Sequence, residues 1–252
     1  MRVALFVPCY VDQLWPDVAL AALRVLERVG CRVDYDPDQT CCGQPFLNAG
    51  ATAAARRLAS RHLTRFAGSE AVVCPSASCV ATVRERYREI GAFDGAMAEQ
   101  LARRTFELGE FLVAELGVED VGAAFPHRVA LLHSCHGLRD LGLGTPSERA
   151  AGAAAAASIP ERLLGNVRGL ELTSPERSDE CCGFGGLFSV RYPEVSSRIG
   201  RGRASALAAS GAEYVTGTDA SCLLHLDGIR RREGLDLHPI HLAEILAATG
   251  DA

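Results

Sequence analysis

Apolar and polar positions along this chain fall into two alternating patterns. Short, mostly apolar runs at residues 3–8, 31–35, 70–73, 129–133, 170–173 and 213–216 read as strands, several of them buried. Between them lie longer stretches with helical spacing. Residues 17–29 place Val18, Leu20, Ala21, Leu23 and Val25 on an apolar face, with Pro16 near the start and Gly30 as the stop. Residues 51–66, 78–88, 146–165, 193–210 and 219–231 read as further helices, and 238–248 as a strand stub followed by a helix. Residues 91–122 read as largely helical and join the two halves. Strands separated by helices predict parallel pairing.

The pattern runs twice. Val3-Ala-Leu-Phe-Val-Pro-Cys9-Tyr10 matches Val129-Ala-Leu-Leu-His-Ser-Cys135-His136 at an offset of 135 − 9 = 126. Cys41-Cys42-Gly43 matches Cys181-Cys182-Gly183 at 181 − 41 = 140, and Ala77-Ser-Cys79 matches Ala220-Ser-Cys222 at 222 − 79 = 143. The expected fold is therefore α/β, with two tandem cysteine-rich repeats. Each is a small, mostly parallel sheet flanked by helices, and duplication relates them by a pseudo-twofold. The expected division is 1–122 for the first repeat with its helical linker, and 123–252 for the second.

Composition changes this picture in one respect. A net charge of −5 over 252 residues gives no reason to expect nucleic acid or an anionic membrane as partner. No apolar run approaches the roughly 20 residues of a spanning helix, and residues 3–8 read as a strand rather than a signal peptide, so a cytoplasmic location is expected. All 26 basic residues are arginine, a matter of codon usage rather than function. Ten cysteines in a reducing compartment are poor candidates for disulfides and point to metal or redox chemistry.

The duplication sorts those cysteines. Cys9, Cys41, Cys42 and Cys79 pair with Cys135, Cys181, Cys182 and Cys222, giving four candidate metal ligands per repeat, the usual requirement of an iron–sulfur cluster. Each follows a strand directly or through a loop. Parallel strands bring such loops to one carboxyl edge, where open α/β sheets build their sites. Adjacent cysteines are poorly disposed to an unstrained disulfide, but their sulfurs can reach different metal atoms of one cluster. The glycine after each pair lets the backbone turn close to such a group.

These motifs resemble the cysteine-rich CCG domain family, which includes the cysteine-rich polypeptide of heterodisulfide reductase and the iron–sulfur subunits of glycolate oxidase and anaerobic glycerol-3-phosphate dehydrogenase. Cys41-Cys-Gly-Gln-Pro45, Pro75-Ser-Ala-Ser-Cys79, Cys181-Cys-Gly-Phe-Gly-Gly186 and Asp219-Ala-Ser-Cys-Leu-Leu224 carry the likeness, which is nearest to the family's lactate-utilization branch. That resemblance implies electron transfer by iron–sulfur clusters, [4Fe–4S] in type and one or two per chain, in oxidation of L-lactate to pyruvate. It also implies companion proteins similar to lactate utilization proteins B and C. The alternatives are a thiol or disulfide redox polypeptide of the heterodisulfide reductase type, or a subunit of a glycolate or glycerol-phosphate dehydrogenase. The first repeat reads Cys74-x4-Cys79 where heterodisulfide reductase has Cys-x-x-Cys, and the second has Cys222 alone, so a four-cysteine cluster is the simpler expectation.

Plainer roles stand beside these. Cys31 and Cys74, which aligns with Gly217, are expected to pack. Zinc is the rival metal, although its usual close cysteine pairs are missing. His133, His136 and His225 lie near the motifs but are expected not to ligate, since Tyr10 stands where His136 does. His238 and His241 are expected in packing or an interface. The glycines after Cys182 precede no Lys-Ser/Thr and make no phosphate loop. The alanine-rich stretch 150–157 reads as a helix surface or an interface, and the arginines at 56–57, 103–104 and 230–232 as solvated faces.

Overall fold

The computed structural model describes residues 1–91, 95–150 and 156–250. The first repeat runs β1 (Arg2–Leu5), α1 (Cys9–Leu14), α2 (Asp17–Arg28), β2 (Arg32–Asp34), α3 (Gln44–Asn48), α4 (Thr52–Phe66), β3 (Val72–Cys74) and α5 (Ala77–Ala81). A π-helical segment leads to α6 (Tyr87–Glu89), then α7 (Gly95–Arg104), β4 (Thr105–Glu107) and α8 (Leu108–Glu110). The second runs β5 (Arg128–Leu132), α9 (Ile159–Gly165), β6 (Glu171–Thr173), α10 (Leu187–Arg191), α11 (Pro193–Ala209), β7 (Tyr214–Gly217), α12 (Ala220–Glu233), β8 (His238–His241) and α13 (Leu242–Ala247).

The sheets have the orders β2-β1-β3-β4 and β6-β5-β7-β8, the same topology twice, and every pairing is parallel. Two expectations need correction. The stretch 91–122 is not only helical: residues 105–107 form the fourth strand, paired with β3. Three residues carry too little periodicity to register as a strand, and their place is set by the sheet beside them. The region 146–165 is helical only in part, as a 3-10 turn over Ser147–Arg149 and as α9; residues 151–155 of the alanine-rich stretch lie outside the described residues.

The two repeats share a core. One buried cluster runs from Val3, Leu5 and Val25 of the first to Val129, Leu163 and Leu246 of the second. Helix α2 packs on α13 and α8 on α9, so each repeat's closing helix leans on the other's helix after its first strand. Separate outer clusters, around Phe6 and Tyr87 and around Leu207 and Leu223, fill the far side of each sheet. The strand-to-helix corners correspond in chemistry: Glu107 forms a capping box with Glu110, and His241 with Glu244, at an offset of 241 − 107 = 134. Among the described residues no helix is long and apolar enough to cross a membrane.

Candidate metal centre

All eight expected cysteines reach the carboxyl edges of their sheets, and both sets line one cavity of about 500 Å³. Cys9 opens α1 and Cys135 precedes a helical turn; Cys79 and Cys222 lie in the first turns of α5 and α12. In the first set the sulfurs form a row. Cys9 Sγ lies 3.6 Å from Cys41 Sγ, Cys41 accepts a hydrogen bond from Cys42, and Cys42 Sγ lies 3.5 Å from Cys79 Sγ. The second set repeats it, with Cys135 against Cys181, Cys181 against Cys182, and Cys182 Sγ 3.0 Å from Cys222 Sγ. Among the described residues no three His, Cys, Asp or Glu side chains converge closely enough to hold a single metal ion.

One thiol in each row is poised as a thiolate. Cys41 is held down to about 3 by hydrogen bonds from Cys42 and Cys9, helped by the Gly43 N–H. Cys181 is held down to about 2 by Cys135 and Cys182, helped by the Gly183 N–H. Their neighbours Cys9 and Cys135 move up, because each keeps the proton it donates and is itself half-buried. A row of thiols that already favours charge at one member is matched to a cationic metal cluster, which takes thiolates as ligands.

The glycines turn the backbone as expected. Gly43 and Gly183 have φ near +90°, which suits glycine and turns the N–H onto the sulfur of Cys41 and of Cys181. Each also faces the long helix that follows. A Cβ on Gly183 would lie 2.6 Å from the Ser196 carbonyl oxygen, and one on Gly43 3.4 Å from that of Ala55.

Other side chains fix the loops. The buried Tyr87 hydroxyl donates to the Cys42 carbonyl at 2.9 Å. Arg203 of α11, buried, donates to the carbonyls of Glu176, Arg177 and Ser178, just ahead of Cys181. Arg65 of α4 pairs with Asp36 and Asp38, just ahead of Cys41. Cys74, expected to pack, is fully buried with its sulfur beside Cys79, at the margin of the first row. Its counterpart Gly217 has no room for a side chain, since a Cβ would lie 2.8 Å from the Leu132 carbonyl oxygen. Cys31 packs in the shared core.

Across the cavity the repeats touch through the residues that follow their matched cysteines. Tyr10 meets Phe184 edge-on with centroids 5.9 Å apart, and the related pair Gln44 and His136 lies 3.2 Å apart, amide nitrogen to Nε2. His136 thus has a hydrogen-bonding role, and His225 stacks near Phe184. His241 is buried at its helix cap, as packing predicts, whereas His238 is half exposed beside Asp236. Beneath the cavity sits Asp219, 2% exposed. Its Oδ1 accepts from Ser76 Oγ, Ser78 N and Ser78 Oγ, so the second repeat caps the helix that carries Cys79. Among the described residues its Oδ2, Glu107 Oε1 and His241 Nε2 find no hydrogen-bond partner, and all three are buried. No role for Asp219 or Glu107 is evident from the sequence, although Asp219 stands in a repeated motif, and the match of Glu107-Leu-x-Glu with His241-Leu-x-Glu is a signal of the fourth strand.

The cysteine-rich domain pattern called CCG matches residues 3–84 and 129–227. Lactate utilization protein A of Bacillus velezensis is 40% identical over 98% of this chain and 99% of its own. The proteins of that name from Oceanobacillus iheyensis and Bacillus subtilis are each 37% identical, over 98% of this chain and 96% and 99% of their own. Among solved structures, a putative Asp/Glu racemase from Yersinia pestis superposes with a TM-score of 0.37 at 12% identity, covering 98% of this chain and 96% of that one. A likeness that loose carries no argument.

Proposed function

The chain belongs to the cysteine-rich CCG domain family and groups there with lactate utilization protein A, and from that premise we propose that it is the iron–sulfur electron-transfer subunit of a system oxidising L-lactate to pyruvate. The observation that carries the metal reading is the pair of matched cysteine rows opening into one cavity. A single tetrahedral ion with bonds of about 2.3 Å would gather its sulfurs around one point. Rows of four suit a larger, polynuclear occupant. Cys9, Cys41, Cys42 and Cys79 would hold one cluster, and Cys135, Cys181, Cys182 and Cys222 a second, each [4Fe–4S] in type.

Such a cluster supplies reversible one-electron transfer when bound. The chain's own residues present thiolates, hold the ligand loops rigid from behind, and shield the sulfurs with Tyr10, Phe184 and the wall of α3 and α10. Substrate oxidation is assigned to companion proteins similar to lactate utilization proteins B and C, and the location to the cytoplasm. The test is anaerobic purification followed by assay of iron, acid-labile sulfide and zinc, with electron paramagnetic resonance of the reduced protein. Iron and sulfide in equal amounts, each about halved in Cys42→Ser and in Cys182→Ser, is the expected result. Zinc without sulfide would sink it.

A second reading has one observation in its favour. Two thiol sets line one cavity from both sides, which is the arrangement that disulfide chemistry of the heterodisulfide reductase type calls for. The second repeat opposes it, because Asp219 and His225 occupy the positions from which a Cys-x-x-Cys with Cys222 would draw its fifth cysteine. Turnover of low-molecular-weight disulfides by the iron-loaded protein would favour this reading over the first.

A further inference from the structure

The second repeat carries an apolar surface that packing within the chain does not explain. Val190 is 73% exposed, Tyr192 57%, Val195 51% and Ile199 39%, all within ten residues spanning α10 and the start of α11. The first repeat is an internal control. The contacts of Gly43 with Ala55 and of Gly183 with Ser196 set an offset of 196 − 55 = 141 between the long helices. At that offset Tyr192 and Val195 stand where the first repeat has Ala51 and Ala54. At those two positions the fold is thus built with small side chains, whereas Ile199 stands where the first repeat has the similarly large Leu58, so it is Tyr192 and Val195 that serve something outside the chain.

Charge and position narrow what that is. Arg198, Arg201 and Arg232 line an open groove of about 590 Å³ beside Val195, and Arg191 is exposed next to Val190. Glu194 is the acidic residue of the groove's lining, Glu233 pairs with Arg201, and Asp227 is taken up by Arg230 and Arg231, while among the described residues Arg191, Arg198 and Arg232 make no ion pair. A positive surplus here, on a chain of net charge −5, selects an acidic partner. The face is also continuous with the metal cavity, whose wall includes Leu187, Ser189 and Val190. Cys181 is the one cysteine of the ten that is exposed, so the second row is the more open of the two.

We propose that this face of α10 and α11 is the docking surface for an acidic redox protein, seated over the mouth of the second cysteine row. The proposal rests on the electron-transfer reading above, and the experiment separates the two. The probe is an acidic plant-type [2Fe–2S] ferredoxin, titrated by calorimetry against the iron-loaded protein at low and at physiological ionic strength. Binding should weaken about tenfold or more with added salt, as screened charges require. It should weaken by a similar factor in the exposed double variant Val195→Asp/Arg198→Glu. Arg57→Glu, the same position of the first repeat, should bind as the unaltered protein does. Equal binding by all three proteins, or salt-sensitive self-association lost in the double variant, would overturn the proposal; the latter would assign the face to a second copy of the chain. Dithionite reduction of the same samples, followed by absorbance, tests the underlying reading on its own, since a small reductant needs no docking face.

Discussion

Two buried acids at the junction of the repeats differ in what they do. Asp219 Oδ1 satisfies three donors of the first repeat. In Asp219→Ala those donors stay buried without an acceptor, at about 1–3 kcal/mol each when fully orphaned. The expected result is a loss of at least about 2 kcal/mol in denaturant unfolding of the metal-free protein. Glu107 acts through pH. Burial raises its carboxyl to about 8, against an ordinary value of 4.5. An acid with a raised folded pKa stabilises fully below its unfolded pKa and loses that contribution as pH rises through the folded one. Stability therefore falls between pH 4.5 and 8, by up to roughly 5 kcal/mol from this group. His241, lowered by burial from 6.5 to about 4, works oppositely, and its contribution is lost as pH falls from 6.5 through 4. Glu107→Gln should flatten the decline in melting temperature from pH 5 to 8 and leave the acid limb unchanged. An unaltered slope would show that Glu107 is not its source.

At the scale of elements, each cysteine pair is placed by the long helix behind it. The two glycines predict different tolerances. Both require a left-handed backbone, worth about 1–2 kcal/mol to any other residue, but only Gly183 also meets a backbone oxygen at 2.6 Å. Gly183→Ala should cost several-fold more stability than Gly43→Ala and abolish iron at the second site alone, measured as iron per chain. The helix also explains Arg203, which would look out of place in a core. Its three bonds to carbonyls give the loop at residues 176–178 the donor partners it lacks. Arg203→Met keeps the bulk, removes the bonds, and should lower the melting temperature while selectively emptying the second site.

For the molecule as a whole, the shared core decides what can stand alone. Helix α13 at the chain's end packs on α2 near its beginning, and a single buried cluster crosses between the repeats. Residues 1–122 expressed alone would expose Val18, Ala22 and Val25 where α13 now covers them. Such a fragment should lack a cooperative unfolding transition by circular dichroism and fold only with 123–252 added. A cooperative transition for the isolated half would show that the interface is dispensable.

Much of this was legible in the chain itself. Hydrophobic runs and helical spacing located most strands and the long helices, since burial of one face imposes its period on the residues. Matched cysteines identified two equivalent sets of thiols, because the duplicated pattern repeats both their number and their place after the strands. The parallel topology that brings those sets to sheet edges also followed from alternating elements. Other features depend on neighbours distant in sequence. The three-residue strand β4 is too short to announce itself and exists because β3 offers it hydrogen bonds. The convergence of both rows on one cavity, the cap that Asp219 extends across the repeats, and the helix that makes Gly183 irreplaceable all join residues that lie apart in the sequence, some by more than half the chain. Local pattern records only what a residue does for its own element; which surfaces of two such elements meet is decided when the whole chain packs.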